Sequence, residues 1–439
     1  MIVSHKLISL LLLLIFLTQP TLNVSNSTNS LCFETERKVL LSFKQHLKDP
    51  LARLSSWVAE EENCCKWAGI VCDNSPGHVQ ELHLARYSLT GEIFPSLLNL
   101  KQLSNLDLSY NNFKGTKIPS LIGSLVSLRY LNLSRAGFEG VIPHQLGNLL
   151  SLRHLGLADY RSKLYVENLY WLFSLSSLEH LDMNGVNLSK ASDHWLHTIN
   201  KLPSLLELYL SGCELGHIHP LSYTNFTSIS ILHMSNNNFN SFIPDWVFNL
   251  SSLVELHLSS SQFIRSFSNG SFSLTSLTSL DVSGNFLSCT IPTYFYGFSN
   301  LEVLYLHVNK LQGVVSNSIR NLTSLVQLDL GGNALVGELP ASMGDLCNLK
   351  SIDLSHNKLN GSLPESLGSL SNLQGVDISN NLFEGVVSEV HFSNLTNLRS
   401  LRAYENSLSL RVNPDWIPPF HLDYLDLGSW NLGSPQFPT

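Results

Sequence analysis

Tyr209, His233 and His257 recur at intervals of 24 residues, and Glu207 and Glu255 stand two places before the first and the last of them. Tyr305, His307, Arg402, Tyr404 and Glu405 follow further along the chain. Side chains of these types can grip a peptide or protein surface, because aromatic and arginine groups are enriched where proteins meet. The imidazoles can also take up a proton near pH 6.5, so a mildly acidic medium would partly charge them and tune binding. Metal ligation is the third chemistry open to them. Two histidines alone make a weak zinc site, and a third ligand is not evident, so no metal is expected.

The carboxylates do not point to catalysis. Asp107, Asp182, Asp281, Asp329, Asp353, Asp377 and Asp426 recur at one position of a repeating frame. That regularity reads as a solvated stripe, not a catalytic pair. No G-x-x-x-x-G-K-[ST], H-E-x-x-H, G-x-S-x-G or kinase string occurs. The reading is a non-enzyme without a cofactor.

The frame itself comes from LVQLDLGGNALVGELPASMGDLCN at Leu325, which LKSIDLSHNKLNGSLPESLGSLSN at Leu349 repeats in the same frame. Both fit the leucine-rich template L-x-x-L-x-L-x-x-N-x-L at a period of roughly 24 residues. The coils start at Val79, Leu103, Leu128, Leu152, Leu178, Leu205, Ile229, Leu253, Leu277, Leu301, Leu325, Leu349, Leu373, Leu398 and Leu422. In a strand alternate side chains face opposite ways. The first, fourth and sixth positions therefore point inward, and the third and fifth line an exposed parallel sheet. The fold class is an α/β solenoid of about 15 coils, the last incomplete.

Position nine carries Asn111, Asn237, Asn285, Asn309, Asn333, Asn357, Asn381 and Asn406. These amides should bond the backbone of their own and neighbouring coils. Cys213 and Ser261 fill the slot with weaker versions, and Tyr87, Ala136, Tyr160, Val186 and Trp430 should leave the ladder imperfect. After position eleven many coils read x-G-x-[IL]-P, as at Gly140, Gly337 and Gly361, where glycine permits a tight bend. The coils at Leu152 and Leu178 are longer and lose this signature, which reads as inserted loops.

Position five is Asp in the late coils but Tyr209, His233, His257, Tyr305 and Arg402 elsewhere. Adjacent strands lie about 4.8 Å apart, so Tyr209, His233 and His257 should be consecutive neighbours. The section from Tyr209 to Tyr305 is the expected ligand-contact surface, with Glu207, Glu255, His307, Arg402 and Tyr404 as further contacts.

The chain has 439 residues, 14% of them charged, and a net charge of -8. No basic patch suggests nucleic acid. Residues 1–23 read as a signal peptide, because Leu7 to Leu17 is far shorter than the roughly 20 residues a membrane helix needs. Residues 24–78 read as a cap over the first coil, and 79–439 as repeats. Val39, Leu40, Phe43 and Leu47 mark one face of a cap helix that Asp49-Pro50 stops. Trp57 and Trp67 read as cap core. An oxidising compartment implies bridged cysteines, and Cys32, Cys64, Cys65 and Cys72 allow three pairings. Cys213, Cys289 and Cys347 read as small buried residues. Sequons stand at Asn23, Asn26, Asn132, Asn187, Asn225, Asn249, Asn269, Asn321, Asn360 and Asn394, of which Asn23 leaves with the leader if cleavage follows it. The chain ends partway through the coil begun at Leu422 with no closing cysteine pair, which is expected of a truncated product or of a chain that continues.

The strings ERKVLLSFKQHLKDPLARLSSW and CCKWAGIVCDNSPGHVQELHL, with the L-x-G-x-[IL]-P tail of the coils, resemble the ectodomains of plant leucine-rich-repeat receptor-like proteins. The resemblance covers nearly the whole chain and is strongest to the kind that perceives fungal xylanase and related elicitors. It implies a secreted, glycosylated superhelix and the pairings Cys32–Cys64 and Cys65–Cys72. It also implies a protein or peptide ligand and receptor-like kinase co-receptors. Membrane attachment would come only through a segment missing from this chain. A secreted inhibitor of a wall-degrading enzyme such as polygalacturonase and a developmental peptide receptor are the alternatives.

Overall fold

The computed structural model describes residues 32–432 apart from 75–76, 94, 160–162, 268–269, 271 and 273. The proposed leader and the sequons at Asn23, Asn26 and Asn269 lie outside the described residues, as does Tyr160.

Helix α1 (Glu34–Gln45) opens the cap and buries Leu40 and Phe43. Leu47 does not extend that helix, as the spacing suggested. It starts a two-residue strand that pairs antiparallel with Thr90–Gly91 and ties the cap to the first coil. A second tie is the buried carboxylate of Glu36, which faces His78 Nδ1 at 2.9 Å and accepts from the Val79 amide at 2.8 Å. Trp57 and Trp67 are buried and stacked, 5.7 Å between ring centres. The disulfides are Cys32–Cys64 and Cys65–Cys72.

Among the described residues one sheet of 16 strands runs from the cap to the last coil. Its strands are β1 (Ile70–Cys72), β2 (Val79–His83), β3 (Asn105–Asp107), β4 (Tyr130–Asn132), β5 (His154–Gly156), β6 (His180–Asp182), β7 (Glu207–Tyr209) and β8 (Ile231–His233). They continue as β9 (Glu255–His257), β10 (Ser279–Asp281), β11 (Val303–Tyr305), β12 (Gln327–Asp329), β13 (Ser351–Asp353), β14 (Gly375–Asp377), β15 (Ser400–Arg402) and β16 (Tyr424–Asp426). Strand β1 comes from the cap and pairs antiparallel; the others are parallel and in register. The middle residue of the three-residue repeat strands faces the core, as Leu208, Leu232 and Leu256 do, while their neighbours are partly exposed; in the last of them, β16, Leu425 is exposed. Short 3-10 turns such as His144–Asn148 and Ala341–Asp345, each entered through an extended proline, close the opposite side. Glycine is required inside these turns: a Cβ on Gly344 would lie 2.4 Å from the Ser366 carbonyl of the next coil. Gly140, Gly337 and Gly361 adopt positive φ, as the bend demands.

The Asn ladder joins the coils. Asn285 Oδ1 accepts from the amides of Ser261 and Phe263, and Nδ2 donates to the carbonyls of Leu258 and Val282. Cys213 and Ser261 make the reduced version, reaching Met183 O and Met234 O at 3.1 and 2.9 Å. At Trp430 the ladder is imperfect, as expected, but not broken. The Trp430 indole N–H donates to Ala403 O at 2.7 Å, the contact an asparagine amide would make. At Val186 the backbone amide itself takes the Met183 carbonyl.

The insertion in the Leu178 coil is not a loop throughout. It forms helix α2 (Trp195–Ile199), because Trp195, Leu196 and Ile199 find the core. Of the unpaired cysteines, Cys213 is buried and Cys289 partly so, but Cys347 is exposed, against the buried reading. Its position falls on the turn that precedes a strand, outside the leucine frame.

Removing one rung of the ladder tests its weight. Asn285→Ala leaves the amides of Ser261 and Phe263 and the Leu258 carbonyl without their partner, while Val282 O keeps Asn309 Nδ2, and each such loss costs about 1–3 kcal/mol. The urea midpoint should fall by a matching amount, whereas Asn→Ala at exposed Asn348 should leave it within about 0.5 kcal/mol.

Candidate ligand-binding face

The Asp stripe has a local task. Each Asp at position five accepts from the backbone amide two residues on, at 2.9–3.1 Å, in Asp107, Asp182, Asp281, Asp329, Asp353, Asp377 and Asp426. This is the turn-forming bond Asp and Asn make readily, and Asn132 makes it too. The stripe is therefore a row of turn caps as well as a solvated face. A Tyr, His or Arg in that slot gives the bond up.

The departures gather on neighbouring strands. Tyr209, His233 and His257 are in register on β7, β8 and β9, as their spacing required. The His233 and His257 rings lie parallel, 4.1 Å between centres, and Tyr209 meets His233 edge-on at 4.9 Å. Glu207 accepts from the Tyr209 hydroxyl at 3.2 Å and pairs with His180 at 2.8 Å. Glu255 lies 3.2 Å from His233 Nε2, and His257 Nε2 lies 3.1 Å from Ser279 Oγ. Tyr305 follows across Asp281 on β11 and its hydroxyl donates to Gln327. His307 sits 3.0 Å from the Asp329 carboxylate. Arg402 and Tyr404 are not part of this group. They lie beyond the Asp-bearing strands β12, β13 and β14, where Arg402 spans Asp377 and the Tyr424 ring.

The aromatic row extends further than position five revealed. Tyr130 stacks on His154 at 4.1 Å, His154 on His180 at 3.9 Å, and His180 approaches Tyr209 at 5.3 Å. A column of rings thus runs from β4 to β9, crossing from position three to position five between β6 and β7. Its signal was present at position three, where Tyr130, His154 and His180 recur at the coil spacing. Beside it Gly156 replaces the position-five side chain and opens a notch of about 270 Å³, lined by Asn132, Arg135, His154, His180 and Asp182 among others.

Burial sets the charge of this face. Desolvation, with the adjacent His180, pushes His154 down to about 3, and burial with His257 pushes His233 down to about 4. Burial raises Asp182. The expected charging of the paired histidines in mild acid is corrected for His233, which stays neutral there. His307 moves the other way: its contact with Asp329 raises it above the ordinary range.

The sequons divide by exposure. Asn225, Asn249, Asn321, Asn360 and Asn394 are exposed, while Asn187 and Asn132 are partly covered. Asn132 spends its Nδ2 on the Tyr130 hydroxyl at the rim of the notch.

Sequence models of the leucine rich repeat N-terminal domain match residues 33–73, and of the leucine rich repeat residues 203–263 and 275–335, with single repeats at 102–125, 127–149 and 348–370. The chain carries a leucine-rich-repeat N-terminal domain followed by leucine-rich repeats. Receptor-like protein EIX1 of Solanum lycopersicum is 41% identical over 51% of the chain, and EIX2 of the same plant 39% over 51%. The chain spans only 23% of the length of each. In three dimensions the PEPR1–AtPEP1 crystal structure superposes with a TM-score of 0.75 at 28% identity, over 91% of this chain and 59% of the other.

Acid sensitivity follows from His154. A histidine whose folded pKa is depressed favours folding above its unfolded pKa near 6.5 and loses that contribution as pH falls toward the folded value. Melting temperature should decline between about pH 6.5 and 4. His154→Phe, which keeps a ring between Tyr130 and His180, should flatten that limb in a calorimetric pH series.

Proposed function

We propose that this chain is the recognition part of a plant cell-surface receptor-like protein that detects a microbial protein or fragment and signals through partner receptor-like kinases. The observation that carries this reading is the ring column on β4–β9, whose part on β7–β9 stands where position five abandons the turn-capping Asp. Two of the amides released from that cap find other acceptors, Ser211 N on Asn184 Oδ1 at 2.7 Å and Ser259 N on Ser235 Oγ at 3.1 Å, and the exchange places flat, half-buried rings where a partner can cover them.

On this reading residues 1–23 direct the chain to the secretory pathway, and 24–78 cap the repeats of 79–439. The exposed sequons would carry glycans, leaving the ring face clear except beside Asn132. The plasma membrane would be reached through a segment outside this chain. No helix among the described residues is long and apolar enough to cross a membrane.

The reading is tested by capture from elicitor-treated plant wall extract on the immobilised chain. Recovery of receptor kinases supports it, whereas recovery of fungal glycosidases alone favours an inhibitor. A double variant, His233→Asp with His257→Asp, restores the turn caps. It should keep or raise the melting temperature while recovery of the partner drops by about tenfold or more, as loss of a central contact does. Unchanged recovery would place recognition elsewhere on the molecule.

A further inference from the structure

We propose that His233, Glu255 and His257 form a site for a transition metal ion of the zinc class. The inference rests on their geometry and is independent of the ligand reading above. It also corrects the expectation that a third ligand was lacking.

Register creates the site. Strands β8 and β9 set His233 opposite His257. Glu255 precedes His257 by two residues, and side chains two apart on a strand share a face. One ligand atom from each of the three lies within 4.8 Å of the others. His233 Nε2 and Glu255 Oε2 are 3.2 Å apart, close to the separation of two donors on one tetrahedral zinc with bonds of about 2.0–2.2 Å. The parallel ring of His257 stands 4.1 Å from that of His233, so a side-chain rotation brings its nitrogen to the same centre. That rotation exchanges one hydrogen bond, the 3.1 Å contact with Ser279 Oγ, for a metal bond.

The donor set selects the ion. Two imidazoles and one carboxylate suit zinc or its first-row neighbours, whereas calcium and magnesium want oxygen donors. All three side chains are partly exposed, so a fourth position stays open toward solvent. Water can fill it, and so can a carboxylate or imidazole of a bound polypeptide. The other cluster of this kind among the described residues, Cys32, Cys64 and Cys65, is committed to disulfides.

The test uses the full chain and metal salts alone. Titration calorimetry with zinc chloride near neutral pH should show one saturable site. Glu255→Gln and His257→Asn should each weaken it by more than about a hundredfold, beyond the roughly 10–100-fold that loss of an outer-shell group costs. His144→Asn, at an exposed histidine far from this face, should leave affinity unchanged. Cobalt(II) added to the unaltered chain provides a readout that needs no variant. Strong visible absorption of a four-coordinate ion that zinc displaces is expected. Absence of a saturable site, binding that survives both substitutions, or only weak six-coordinate cobalt absorption would overturn the proposal.

Discussion

No coil of this molecule can bury its leucines alone; each finds its apolar contact only against the coil before and the coil after. That constraint dictates the rest. It demands a fixed period, so that leucines meet leucines. It demands in-register parallel strands, so that position five of one coil faces position five of the next. The backbone at each turn then has no water to satisfy it, and the Asn amide supplies both donors and acceptors from a single side chain. The sheet inherits its straight columns of side chains from that interior register. A binding surface on such a scaffold is written in columns, because the interior leaves only the outward positions free to vary.

The interior was legible because it obeys a period. The leucines at positions one, four and six, the Asn rungs and the proline-entered turns follow from spacing and from the chemistry of each residue type. The cap cysteines pair as the family resemblance implied. The exposed face was legible only in part. Tyr209, His233 and His257 stood out because they break an Asp column, while Tyr130, His154 and His180 escaped because position three has no dominant residue to break. Arg402 and Tyr404 looked like the same kind of departure, yet the intervening Asp strands separate them from the ring column.

The other differences arise where tertiary contact outweighs local pattern. Leu47 continues a helical spacing, but the edge of the first coil captures it as a strand. The longer Leu178 coil holds apolar side chains that fold into the core as α2 instead of standing out as a loop. Trp430 supplies the donor half of a rung, and its indole has no acceptor to replace the asparagine oxygen. Burial moved His154 and His233 away from the range of a free imidazole, an effect spacing cannot reveal. The third metal-class ligand was also hidden, since Glu255 becomes a neighbour of His233 only through pairing of β8 with β9.

The shared leucine frame of the equal-length coils at Leu325 and Leu349 has a consequence for how such a chain can change. Their docking surfaces are interchangeable, so unequal crossing-over within the gene could add or drop one whole coil without creating a new interface. The interior would close over the event. Outside, Arg402 would slide by one strand, roughly 4.8 Å, relative to Tyr305. Recombination can thus act as a ruler, resetting the distance between two groups on the surface while the leucines that support them stay the same.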